Sequence, residues 1–213
     1  MKEQVREIVA RDLTPVRPLL APGTRLLLLV PIAIAAGVFA PIVYGHRDID
    51  RLGAFTSWGL SALEWIVGLL ILAFALRHAV PGRGLSRRFV IATLVGAPAI
   101  IVLVTIVTYA VQPIEVPPGR AFRYWMECVK WPMTIAAPML LVASVLAMRA
   151  VPTRPAFVGA LCGLAAGVLA DSGWRLACEV SAPSHVLGSH GLAVALMAIL
   201  GCAAFVAIDA MRH

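Results

Sequence analysis

The sequence predicts an all-α protein built from six membrane-spanning helices, and three observations carry that expectation. Hydrophobic residues make up 61% of the 213 residues and charged residues only 14%, against about 45–50% and about 25% in a soluble domain. The apolar residues come in continuous runs close to the ~20 residues a helix needs to cross a bilayer. These runs do not alternate as barrel strands do. Lys and Arg also gather on alternate links between the runs, as they do in polytopic membrane proteins.

The chain divides into an N-terminal segment, 1–23, and a transmembrane domain, 24–213. In "MKEQVREIVARDL", Val5, Ile8, Val9 and Leu13 fall near one face of a helix, with Lys2, Glu3, Arg6, Glu7, Arg11 and Asp12 mostly elsewhere. That pattern predicts an amphipathic helix, too short to be stable alone in water. The surface it docks on is the membrane or a cytoplasmic protein. The segment is too polar and too long for a signal peptide's n-region, and the run after it is long enough to span.

The expected spans are Leu26–Tyr44, Ala54–Leu76, Phe89–Val111, Trp131–Ala150, Ala156–Ala177 and Gly191–Ile208. The links are short except Gln112–Lys130 and Cys178–His190, and no internal repeat of the transporter kind is visible. One side carries twelve Lys and Arg, from Lys2 to Arg212, and the other carries six: Arg47, Arg51, Arg120, Arg123, Lys130 and Arg175. Both termini are therefore expected in the cytoplasm. Tyr44, Trp58, Tyr124, Trp125, Trp131 and Trp174 mark the outer interface on the sparser side. The net charge of +7 reflects arginines beside anionic headgroups, so no direct nucleic-acid partner is expected.

Two acids fall inside spans: Glu64 in "SALEWIV" and Asp171 in "VLADSGWRLAC". Intramembrane acids face a bundle interior or water. No basic partner is evident at the depth of Glu64, and a structural role in helix packing is preferred to a proton relay. Gly159, Gly163 and Gly167 lie four residues apart in span five, a packing signal.

Cys162 and Cys202 lie within spans and read as small apolar residues. Cys128 precedes span four and Cys178 follows span five. These spans form a tight hairpin, so both thiols are expected side by side at the outer boundary. A structural disulfide, a redox-active pair, a metal site and an incidental placement all remain open. Glu127, Glu179, His185, His190 and possibly His46 are the candidate further ligands for a divalent ion. No established cofactor is expected. The spacing in "CEVSAPSHVLGSH" matches no zinc motif.

Several stretches resemble one family, the NrsF-like negative regulators of sigma-F. "VARDLTPVRPLLAPGTR" is similar to the family's opening. "ECVKWPMTIAAPMLLVASVLAMRAVPTRPAFVGALCGLAAG" and "RLACEV" are similar to its second half, including two cysteines that map onto Cys128 and Cys178. The resemblance implies a six-span anti-sigma factor of the bacterial inner membrane, with an extracytoplasmic-function sigma factor as cytoplasmic partner. It implies that Val5, Ile8, Val9, Asp12 and Leu13 contact that partner. It also implies that Cys128 and Cys178 sense oxidative or heavy-metal stress.

The alternative is a small transporter or metal-handling protein using Glu64, Asp171 and the outer Cys/His cluster, with a homo-oligomer supplying what one small chain lacks. No nucleophile–base constellation, phosphate loop or metalloenzyme motif points to an enzyme.

Overall fold

The computed structural model describes residues 3, 7, 18–45, 52–82 and 86–212. Val5, Ile8, Val9, Asp12, Leu13 and His46 lie outside the described residues; Glu3 and Glu7 are helical and exposed. The described residues are helical, with no strand, and six of the helices are long and apolar enough to cross a membrane. In chain order these are α1 (Pro22–Tyr44), α2 (Ala54–His78), α3 (Arg87–Val111), α4 (Ala121–Met148), α5 (Pro155–Ala177) and α6 (Gly191–Ala210). The span ends differ from expectation chiefly in α4, which begins ten residues before Trp131. "AFRYWMECVK" carries no Gly or Pro, and its Arg123 and Glu127 pair at 3.1 Å one turn apart, which suits a helix. Cys128 therefore sits inside α4 rather than ahead of it.

The helices stand side by side, and hydrogen bonds define the two ends of the bundle. At one end Arg25, in the first turn of α1, donates from its two terminal nitrogens to the carbonyls of Leu76 and Leu146, each at 3.1 Å. Arg212 donates to the Met148 carbonyl at 2.9 Å. Two arginines thus satisfy orphan carbonyls where α2 and α4 finish. At the opposite end the link after α3 is strapped to the link after α5. Ile114 donates to the Ser181 hydroxyl at 2.8 Å, and the backbone N–H groups of Ser181 and Ala182 donate to the Ile114 carbonyl.

The centre is α5. In its most apolar stretch 78% of the residues are buried, against 28–39% for the other five helices, so α5 is enclosed by a ring of α1, α2, α4 and α6. Small residues make this enclosure possible. A Cβ on Gly163 would run into the Met197 carbonyl of α6, and one on Gly159 into the Gly201 carbonyl. Gly173 does the same for α1, where its Cβ would sit 2.5 Å from the carbonyls of Ala36 and Gly37. Outside the ring, Leu27, Ile42 and Leu141 are exposed, as suits a surface facing hydrocarbon. α3 lies at the edge, held to α2 partly by the Phe74–Phe89 ring contact, with centroids 5.9 Å apart.

Gly163→Val should force α5 and α6 apart and lower stability by roughly 1–3 kcal/mol. Gly96→Ala, at a position with nothing within 4 Å, should be neutral or stabilising. Thermal unfolding of both variants in detergent measures the contrast.

Candidate functional site

The end of the bundle opposite Arg25 gathers the chemistry. Cys128 comes from the second turn of α4 and Cys178 from the residue that ends α5. Their sulfurs stand 3.6 Å apart, the two thiols unbonded. The Cys178 sulfur also lies 3.9 Å from His185 Nε2 and 3.6 Å from the Val180 carbonyl. Hydrogen bonding with Cys128, and then burial, push the Cys178 thiol up to about 11. It is therefore protonated at neutral pH unless something displaces the proton.

Both histidines belong to the cluster, and the backbone explains how. Cys178–His190, expected as a loop, is largely helical: a turn at Pro183–His185 passes into a π-helical turn, Val186–His190, that runs into α6. A π-turn closes i to i+5, so residues five apart come over one another; in an α-helix they would point to different sides. His185 and His190 are five apart, and their rings meet edge to face with centroids 6.0 Å apart. Both are buried, at 4% and 1% exposure. One ligand atom from each of Cys128, Cys178, His185 and His190 falls within 4.8 Å of all the others.

Glu127 and Glu179 stand outside this group. Glu127 turns outward to Arg123, and Glu179 accepts a hydrogen bond from Tyr124 at 3.0 Å. Trp174, in the last turn of α5, is 7% exposed. It packs with Trp131 and Tyr44, centroids 6.2 and 5.4 Å away, beside Cys128.

Beneath the cluster lies a buried polar network. His190 Nδ1–H donates to Asp171 at 2.6 Å. One turn further along α5, Arg175 donates to Glu64 at 3.2 Å, and both partners are buried. Glu64 thus has the basic partner that the sequence did not reveal. Arg175 belongs to the end of α5 but turns inward and reaches the acid across the helix interface. The charge asymmetry between the two sides persists, because Arg25 on the other side is drawn inward as well. Cys162 is fully buried among apolar neighbours, in keeping with a packing residue.

Removing one partner of a buried ion pair strands the other, typically at a cost of about 3–5 kcal/mol. Arg175→Met should lower thermal stability on that scale. The double variant Glu64→Leu, Arg175→Met should recover a large part of the loss, which unfolding of the three proteins measures.

No curated protein and no solved structure matches the chain. One family model does match, over residues 9–208, which takes in α1 to α5, all but the last two residues of α6 and every residue of the cluster. The chain belongs to the NrsF family, negative regulators of sigma F.

Proposed function

We propose that the protein holds an extracytoplasmic-function sigma factor at the bacterial inner membrane through residues 1–23. It releases that factor when Cys128 and Cys178 react with an oxidant or a soft metal ion. Family membership supplies negative regulation of a sigma factor. The observation that carries the rest is the placement of two features at opposite ends of one bundle. The thiols lie at one end, and Arg25, two residues past the N-terminal segment, lies at the other. The Lys and Arg asymmetry assigns the Arg25 end to the cytoplasm. The thiols then face an oxidising compartment.

The redox step is a two-electron oxidation. A bond forms between the two sulfurs and both S–H bonds break. The two electrons and two protons pass to hydrogen peroxide, whose O–O bond breaks to leave two waters. Closing the sulfurs from 3.6 Å to covalent distance draws the start of α4 against the end of α5. α4 is continuous from Cys128 to Leu146, whose carbonyl holds Arg25. A displacement of α4 therefore reaches the residue that anchors the sigma-binding segment. In this reading the protein is a regulator and not an enzyme.

Orientation is tested with reporter fusions. A periplasm-active reporter joined after Arg212 should be silent, and the same reporter inserted in the 112–120 link should be active; the reverse pattern would overturn the topology.

Sequestration is tested by co-purifying the sigma factor with full-length protein and with variants. Ile8→Asp, Val9→Asp should weaken capture by about a hundredfold or more, the expected loss for two buried apolar anchors at ~1.5–3 kcal/mol each. Cys128→Ser and Cys178→Ser should each retain capture and lose release by peroxide. Full-strength capture by a chain lacking residues 1–23, or normal release from both Ser variants, would sink the reading.

A further inference from the structure

The sensor reading needs two cysteines, yet the structure brings four ligand groups together. We propose that Cys128, Cys178, His185 and His190 form a closed four-coordinate site for Zn²⁺ or a softer divalent ion, with Asp171 as the outer partner of His190. The site deepens the proposed function, and rests on it only for the regulatory meaning of the bound ion.

The distances suit a tetrahedron. Zn–S bonds of about 2.3 Å place two sulfurs of one tetrahedral site about 3.8 Å apart, and Zn–N bonds of about 2.0–2.1 Å give a mixed S···N edge of about 3.6 Å. The observed edges are 3.6 Å between the sulfurs and 3.9 Å from the Cys178 sulfur to His185 Nε2. All four atoms fit within 4.8 Å of one another. An ion at their centre requires adjustments of only tenths of an ångström along these two edges.

His190 supplies an independent observation. Its Nδ1 faces Asp171 at hydrogen-bond distance, so in the neutral imidazole the proton sits on Nδ1 and the lone pair on Nε2. That Nε2 atom is buried and has no hydrogen-bond partner. A carboxylate behind an imidazole whose other nitrogen faces a donor cluster is the usual support of a metal-binding histidine. Hydrogen bonds among the other ligands leave this atom unserved, whereas a metal ion uses it.

Charge and softness narrow the ion. Two thiolates and two neutral imidazoles cancel a divalent cation, so the ion and its four ligands together carry no net charge. A monovalent ion leaves one negative charge uncompensated in a poorly solvated setting. Thiolate and imidazole donors favour Zn²⁺ and softer ions over the oxygen-seeking Mg²⁺ and Ca²⁺. Binding displaces the thiol protons, so affinity falls as the pH is lowered. All four positions are taken by protein, which makes the site one that holds structure rather than activates water. Its ligands come from α4, the end of α5 and the turn before α6. Occupancy therefore pins three elements to one point, in the turns from which the redox step would move α4.

The test uses full-length protein in lipid nanodiscs, titrated with Co²⁺ and then Zn²⁺. One equivalent of Co²⁺ should give the intense visible bands of a tetrahedral ion with a thiolate charge-transfer band. Zn²⁺ should abolish both and slow alkylation of Cys128 and Cys178. Cys128→Ser and His185→Ala should each weaken Zn²⁺ at least tenfold. His185→Ala leaves the His190–Asp171 pair intact, so it tests the site without disturbing the network below. Asp171→Asn should keep the tetrahedral spectrum and bind about 10–100-fold more weakly. A six-coordinate Co²⁺ spectrum, or unchanged Zn²⁺ affinity in His185→Ala, would overturn the site whatever the release assay gives. Weakened Zn²⁺ binding in His185→Ala, with peroxide still releasing the sigma factor, supports the site and leaves the redox reading standing apart from it.

Discussion

Close approach of backbones around α5 is the constraint on which the rest of the bundle depends. A helix enclosed by its neighbours has no lipid-facing side on which to place bulk. Gly159, Gly163 and Gly167 on α5 meet α6, Gly173 meets α1, and Gly68 of α2 meets Leu169. In lipid, hydrophobic burial does little to drive one helix onto another, and dispersion between closely fitted surfaces does more. Small residues on three sides of one helix let that fit extend around it. The long aliphatic side chains, displaced from the centre, lie on the outer faces of the ring.

Enclosure has a consequence for polar groups. Asp171, Ser172 and Arg175 on α5 are buried, and each is met by a group from a neighbouring element. His190 meets Asp171, Glu64 meets Arg175, and the Ser172 carbonyl accepts from Ser61. A buried ion pair does not gain much over apolar residues of the same shape, but breaking one is costly. The network therefore specifies how α2, α5 and the π-turn sit on one another. His190 is the member that belongs both to this network and to the cysteine cluster.

Much of this architecture was legible in the residues. Continuous apolar runs located six helices, the four-residue glycine spacing identified the packing face of α5, and the short link after span four placed Cys128 and Cys178 at neighbouring helix ends. What the sequence concealed depends on contacts distant along the chain or on irregular backbone. Arg175 was grouped with the water-facing arginines because it stands at a helix end; only the fold shows its side chain turned inward to Glu64, 111 positions away. The π-turn adds a residue to the helical register, and no 3.6-residue period announces it. Its signal is the pair of histidines five apart just ahead of a span, a spacing that an α-helix would not bring together. Trp174 read as an interfacial aromatic because position along a span does not show which face is enclosed. Ser181 carried no signal of its strap to Ile114.

The same physics distinguishes the two ends of α4. At the Arg25 end its last carbonyls are held, Leu146 by Arg25 and Met148 by Arg212. Along its length the ladder is interrupted, because proline has no N–H to donate. Pro132 therefore leaves the Cys128 carbonyl, four residues before it, without its rung in the helix ladder. Pro138 does the same for Thr134, whose hydroxyl bonds back to the Lys130 carbonyl at 2.9 Å. Missing rungs are where a spanning helix bends most readily, and prolines are tolerated there because neighbours supply substitute partners. The turn bearing Cys128 thus lies beyond both missing rungs in a helix about 42 Å long at 1.5 Å per residue. There the Cys128 sulfur meets Cys178, and the residue packs beside the Trp131 and Trp174 rings. α4 is thus held at its Arg25 end and interrupted twice along its length, with the turn bearing Cys128 on the far side of both interruptions.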